Sequence, residues 1–386
     1  MRVASVWMLA VAVAVLATAN VGGVAAARTE VDTEYGRIRG DNEPEARLTG
    51  FYGIPFAAPP VKDLRLQPPV PPTPWNKTLD CTVDKFFHTC PQFHITKNIF
   101  YGQEDCLYMN IYVPDEAEKE PVPVLFWIYG GGFDLGDEFE FGFYRAKNLA
   151  KKRRVIVVET NYRLGALGFL ANEHLRASNP LNTTGNFGVQ DQQAALQFVH
   201  RCDHLLKPPP PPLLCSLTPT LRVTAYQFGD ELLKKAGCSN NANTLECLRG
   251  LKTEDFFATA KDWPIVNGTA PPLAPVMPWG PTIDGSKHGL PDRPINMIRR
   301  GEFAKVPMII GTNHDEGTIF VPAFPKVVPG VKLPLSTADF NRTLLHFFNH
   351  TTLDQIVQMY PEHGYKNNDL RAAYVLRDFF FLCASR

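Results

Sequence analysis

Trp127-Ile128-Tyr129-Gly130-Gly131-Gly132-Phe133 is the stretch on which the fold turns, because an apolar run that stops in three glycines leaves bare backbone N–H groups at a strand end. Residues 123–129 are almost wholly apolar, the pattern of a strand buried on both faces of a parallel sheet. Glycines let a ligand approach the amides that follow, so such a turn can hold an oxyanion. A plain strand-to-helix turn is the simpler alternative. A phosphate loop fits less well: the spacing matches neither G-x-G-x-x-G nor G-x-x-x-x-G-K-[ST], and Asp134 would repel an anion.

The surroundings narrow the choice. The chain has 386 residues, is 45% hydrophobic and carries no formal net charge, enough to bury one large α/β core or two ordinary domains. Neither a nucleic-acid type of basic tract nor a heptad pattern is present, so a nucleic-acid partner is not expected. The one basic run, Lys151-Lys152-Arg153-Arg154, reads as a solvated helix end. Residues 1–27 open with Met1-Arg2, continue in an apolar run and end in small residues, which predicts a cleaved secretory signal peptide and no membrane span afterwards. Residues 28–386 are then one domain. Eight cysteines, with sequons at Asn76, Asn182, Asn267, Asn341 and Asn349, agree with an extracellular, glycosylated product; spacing alone does not give the cysteine pairing.

Along the chain, residues 33–40 read as a hairpin, and 51–60 lead into a proline-rich wrap ending at Trp75 that excludes a central strand. Residues 107–113 read as a half-buried strand, 144–152 as a helix, 155–158 as a strand and 194–200 as a helix. Strand and helix alternate, which predicts an α/β fold with a mostly parallel sheet flanked by helices.

Several blocks then occur in a fixed order: Gly53-Ile54-Pro55-Phe56-Ala57, Glu104-Asp105-Cys106-Leu107-Tyr108-Met109-Asn110, the glycine stretch, Asn161-Tyr162-Arg163-Leu164-Gly165-Ala166-Leu167-Gly168-Phe169-Leu170, Gly185-Asn186-Phe187-Gly188-Val189-Gln190-Asp191-Gln192, Pro281-Thr282-Ile283-Asp284-Gly285 and Val306-Pro307-Met308-Ile309-Ile310-Gly311-Thr312-Asn313-His314-Asp315-Glu316-Gly317. Together they resemble the type B carboxylesterases and cholinesterases, over roughly residues 30–200 and 225–386. The resemblance implies an α/β-hydrolase fold and hydrolysis of small-molecule carboxylic esters by a serine, a histidine and a carboxylate, with no cofactor and no metal. It places Glu316, after a strand read at 306–310, at the triad acid and Gly131 and Gly132 at two of three oxyanion donors. It pairs Cys90 with Cys106 and Cys238 with Cys247, gives Cys383 a partner outside this sequence, and suggests ion pairs Arg65–Glu104 and Arg163–Asp191. Cys81, Cys202 and Cys215 have no counterpart.

The pattern breaks at about residues 201–224. There the family would carry a strand and the G-x-S-x-G elbow, whereas this chain reads Arg201-Cys202-Asp203-His204-Leu205-Leu206-Lys207, five prolines, then Leu213-Leu214-Cys215-Ser216. No G-x-S-x-G occurs anywhere, and Gly285-Ser286-Lys287-His288-Gly289 lacks the glycine two places before its serine. The segment around Asp378 resembles one that precedes the catalytic histidine's loop, so neither nucleophile nor base is expected, and His363 reads as a surface histidine. Asp378 is expected to seek a partner outside this sequence. Loss of the nucleophile in a comparable triad costs about a millionfold, roughly 8 kcal/mol. The expectation is therefore an inactive carboxylesterase-family chain, an incomplete or aberrantly spliced form; the alternative is a non-catalytic interaction protein of the neuroligin or neurotactin kind, with a protein partner.

Overall fold

Seven strands join in one sheet because their apolar residues face two different layers. The computed structural model describes residues 29–83, 88–94, 99–138, 146–201, 222–239, 243–258, 279–303, 314–348 and 350–378. The signal-peptide reading, the break before residue 222, the strand read at 306–310, Asn267, Asn349, Cys202, Cys215 and Cys383 all lie outside them. The strands are β1 Glu30–Thr33, β2 Gly36–Glu43, β3 Leu48–Pro55, β4 Leu79–Cys81, β5 Gln92–His94, β6 Ile99–Tyr101, β7 Tyr108–Pro114, β8 Val124–Ile128 and β9 Ile156–Thr160. The helices used below are α1 Lys147–Arg153, α2 Gly165–Phe169, α3 Glu173–Ala177, α4 Phe187–Arg201, α5 Arg222–Lys235, α6 Thr244–Gly250, α7 Asp255–Ala258, α8 Pro294–Arg300, α9 Thr337–Phe347, α10 His350–Met359 and α11 Asn368–Arg377.

The main sheet runs β1-β2-β3-β7-β9-β8, with β4 beside β2, while β5 and β6 form a separate hairpin. It is mixed. Parallel pairing joins β8 to β9 and β2 to β4; the β1–β2, β2–β3, β3–β7 and β7–β9 pairs are antiparallel. The alternation of strand and helix holds where β8, α1 and β9 follow one another, and the hairpin read at 33–40 is the β1–β2 turn.

Three sequence expectations need correction. Residues 51–55, taken as the start of a non-strand wrap, complete β3, an interior strand; Pro55 is tolerated as its last residue, after a register shift between Phe51 and Ile54. β7, expected to be half-buried, is buried along most of its length, because one face meets the large core and the other packs with Tyr52 and Ala150. β8, expected to be buried on both faces, alternates instead: Val124, Phe126 and Ile128 point inward while Leu125 and Trp127 are 43% and 41% exposed. β8 stands at the end of the sheet order among the described residues, and the helix layer over the second face, α1, packs on β3, β7 and β9.

Helix α4 shows how the sequence sets the packing. Phe187, Asp191, Ala195, Phe198 and Val199 fall on one stripe and are all buried. Each buried phenylalanine there contributes roughly 1.5–3 kcal/mol. Asp191 is the one charge on that stripe and cannot be left unpaired. Its partner is supplied by the segment after β9, as described below. Helices α9, α10 and α11 gather a second core around Phe340, Leu344, Leu353, Ile356, Val375 and Leu376. Ser336 caps α9 by accepting from the Asp339 N–H, and Asn367 caps α11 by accepting from the Leu370 N–H.

Among the described residues no helix is long and apolar enough to cross a membrane, and no group of three or more His, Cys, Asp or Glu side chains converges as metal ligands do.

Candidate active site

The glycine turn begins one residue past β8. Tyr129 is buried there and stacks on Tyr162, ring centroids 4.6 Å apart, and each hydroxyl donates to the other residue's carbonyl at 3.2 Å. This reciprocal pair ties the end of β8 to the segment that follows β9. Gly131 has φ 129° and Gly132 φ 64°, both in the left-handed range that side chains disfavour. A Cβ on Gly131 would run into the Leu135 carbonyl. The Gly131 carbonyl accepts from the N–H groups of Asp134 and Leu135, each at 3.3 Å, closing the turn. Among the described residues, the Gly131 and Gly132 N–H groups enter no backbone hydrogen bond. Phe133, also at positive φ (68°), packs on Phe169, and its carbonyl accepts from the Gly165 N–H at 2.7 Å. The turn is thus held on both sides, by its own backbone bonds and by the Phe133 contacts.

Asp134 differs from its sequence reading. Burial alone pushes its carboxyl well above the usual carboxylate range, so it opposes an anion less than a solvated aspartate would.

The base of the turn is held from below. The Gln92 amide brackets Gly136, its Nε2 donating to the Gly136 carbonyl at 2.8 Å and its Oε1 accepting from the Gly136 N–H at 2.9 Å. Gln92 is two residues from Cys90, which forms a disulfide with Cys106. A second disulfide joins Cys238 to Cys247 across the α5–α6 connection. Sequence reading passed over Gln92; the signal available was a polar residue between Pro91 and Phe93, beside a cysteine.

Two buried ion pairs orient the elements around the turn. Arg163 donates from Nε and Nη2 to Asp191, both at 2.7 Å, and its backbone N–H donates to the same carboxylate at 3.0 Å. Arg65 donates from Nε and Nη2 to Glu104 at 2.8 and 2.5 Å, while its Nη1 reaches the Arg249 and Leu251 carbonyls at the end of α6. The Arg163–Asp191 pair is fully buried and the Arg65–Glu104 pair largely so, and the small worth of surface bridges does not apply to them.

The remaining sequence candidates are more scattered. Glu316 opens a 3-10 stretch, Glu316–Ala323, and its side chain lies outside the described residues, as does the segment at 306–310 that leads to it. His363 is exposed in the short turn Glu362–Gly364. Ser286 is buried, donates to the Leu181 carbonyl at 2.9 Å and accepts from the His288 N–H, which makes it a loop staple. Asp378, expected to look beyond this sequence, already has partners: Arg377 at 2.6 Å and the Tyr360 hydroxyl at 2.6 Å. Asn76 and Asn182 are exposed, whereas Asn341 is half-buried within α9. The basic run 151–154 is exposed at the end of α1.

A family model described as the carboxylesterase family matches residues 27–202 and 214–385. The chain belongs to the carboxylesterase family. The match lapses across the proline run and resumes ahead of α5, which starts at Arg222, inside the stretch where the sequence pattern breaks. Fumonisin B1 esterase of Sphingopyxis macrogoltabida is 32% identical over 320 residues, covering 76% of this chain and 57% of that protein. Acetylcholinesterase of Danio rerio is 29% identical over 410 residues, covering 88% of this chain and 61% of its own length. A solved structure of PNB esterase superposes with a TM-score of 0.71 at 26% identity, over 92% of this chain and 76% of that one, so the fold is that of an α/β-hydrolase. The chain thus spans less than two thirds of these two curated relatives. The 410-residue alignment exceeds the 386 residues of this carboxylesterase-family chain, so the relative carries internal residues absent here.

Proposed function

We propose that this is a secreted carboxylesterase-family protein that retains the oxyanion turn but, with the sequence it has, does not hydrolyse esters through a serine. One observation carries the reading: α4 ends at Arg201, α5 starts at Arg222, and neither the interval between them nor any other part of the chain contains G-x-S-x-G. In this family that elbow supplies both the nucleophile and the third oxyanion donor. Gly131 and Gly132 can polarise a carbonyl, yet two amides do not activate water without a base held beside it. Glu316 is proposed as the retained triad acid and small-molecule carboxylic esters as the substrate class of an elbow-bearing form. Secretion rests on the residue pattern at 1–27, with Asn76 and Asn182, both exposed, the supported glycan acceptors.

The test is labelling of the purified 28–386 protein with an active-site-directed phosphonate, together with turnover of a short-chain aryl ester. No labelled serine and no turnover are expected. Stoichiometric labelling that abolishes turnover refutes the reading. Sequencing the transcript across codons 200–225 separates the remaining accounts: an elbow in the message returns an active esterase, and a confirmed absence leaves a non-catalytic interaction protein.

A further inference from the structure

The glycine turn is shaped from outside its own sequence, through a side chain that no reaction scheme for the site requires. Gln92 is fully buried and every hydrogen-bonding position of its amide is filled. Nε2 donates to the Gly136 carbonyl at 2.8 Å and the Cys90 carbonyl at 3.2 Å; Oε1 accepts from the Gly136 N–H at 2.9 Å and the Tyr101 hydroxyl at 2.8 Å. Donors and acceptors on Gly136 would clash with a rotated amide, so the orientation of Gln92 is fixed. Gly136 has φ 114°, and a Cβ there would lie 2.6 Å from the Tyr129 ring and 2.7 Å from the Gly130 carbonyl. The clamped residue therefore presses directly against the first residue of the turn.

The other side of the clamp is covalent. Cys90 and Cys106 close a loop of sequence separation 16 that contains the β5–β6 hairpin, and Tyr101 of that hairpin holds the Gln92 oxygen. Across the same loop, Gly102 lies so close to Cys90 that a Cβ would sit 2.5 Å from the Cys90 carbonyl, and the Gln103 N–H donates to the Thr89 carbonyl. We propose that Gln92 is the positioning residue of the oxyanion turn and that the Cys90–Cys106 disulfide acts on the turn through it. The proposal rests on reading Gly131 and Gly132 as oxyanion donors; its test measures the turn itself and is independent of whether catalysis occurs.

Amide hydrogen exchange, read by mass spectrometry on peptides covering 129–137 and, as reference, 337–347, tests this in the full chain. In Gln92→Met, exchange in 129–137 is expected to rise tenfold or more while the reference helix is unchanged. Tyr101→Phe keeps both Gly136 bonds and is expected to change the turn less than twofold. Replacing Cys90 and Cys106 by serine is expected to raise turn exchange as Gln92→Met does, and adding Gln92→Met to that pair is expected to add nothing. Replacing Cys238 and Cys247 leaves the turn as it was. A rise spread evenly over both peptides, an unchanged turn in Gln92→Met, or additive effects of the clamp and the disulfide would each overturn the proposal. Where the cysteine variant does not fold, selective reduction of the folded protein, with and without Gln92→Met, gives the same comparison.

Discussion

Replacing Asp191 by alanine is the most direct probe of how the turn's frame is held. The carboxylate is wholly buried and accepts the Arg163 Nε and Nη2 at 2.7 Å and the Arg163 N–H at 3.0 Å. Alanine leaves a guanidinium that is only 3% exposed without its counter-ion, the situation in which removing one partner costs about 3–5 kcal/mol. With a urea slope of about 3 kcal/mol/M, the unfolding midpoint falls by roughly 1–1.7 M. The paired change Arg163→Met with Asp191→Leu removes both charges and is expected to recover part of the loss. Recovery is incomplete because the Arg163 N–H and the Gln67 carbonyl, now bonded to Asp191 and to Arg163 Nη1, lose their partners, at about 1–3 kcal/mol each. Arg37→Ala, which breaks an exposed bridge to Asp32, is the control and leaves the midpoint nearly unmoved. Equilibrium urea unfolding followed by fluorescence reads all four proteins. An Asp191→Ala midpoint no lower than that of Arg37→Ala, or a double variant weaker than the single, refutes the reasoning.

Gly131→Ala places a Cβ against the Leu135 carbonyl at φ 129°, and is expected to cost about 1–3 kcal/mol or to reshape the turn, seen as a lower melting temperature with faster exchange at 129–137. The folded-state pKa of Asp134 is raised above 3.8 by burial, so its favourable contribution is complete below the ordinary carboxyl range and is lost as pH rises toward the folded pKa. Asp134→Asn is therefore expected to gain stability relative to the unsubstituted chain as pH increases from about 4 to 7, in paired denaturation curves; a constant difference contradicts the assignment. On chain entropy, losing Cys90–Cys106 costs about 3 kcal/mol and losing Cys238–Cys247 about 2.6 kcal/mol, read as the difference between reduced and oxidised midpoints.

The sequence was informative wherever one residue type answers to one physical demand. The glycine turn, the β1–β2 hairpin and the solvated end of α1 follow from local chemistry, and the Arg163–Asp191 and Arg65–Glu104 pairs came from resemblance. Burial of β7 and β8 was not legible, because an apolar or alternating run describes the residues and not the layers that meet them. β7 lies between two cores, while α1 covers β3, β7 and β9. The state of Asp134 was hidden for a related reason: its proton affinity depends on the atoms around it. Gln92 reads as an ordinary polar residue until Gly136, 44 positions away, is seen across its amide. The bonds of Asp378 to Arg377 and Tyr360 were likewise hidden, because they depend on how the last helices pack.

The exposed half of β8 also bears on how the chain behaves at concentration. Val124-Leu125-Phe126-Trp127-Ile128 has no charge, proline or glycine, and among the described residues no strand lies beyond it in the sheet. Natural edge strands are blunted with lysine, proline or a bulge, and an apolar strand without such gatekeepers is prone to pair with copies of itself wherever its edge is open. Leu125→Lys lies on the solvent face, where a long charged side chain can reach water without disturbing Phe126 or Ile128. Soluble yield that rises with this one substitution, at an unchanged melting temperature, would make colloidal behaviour a property of β8.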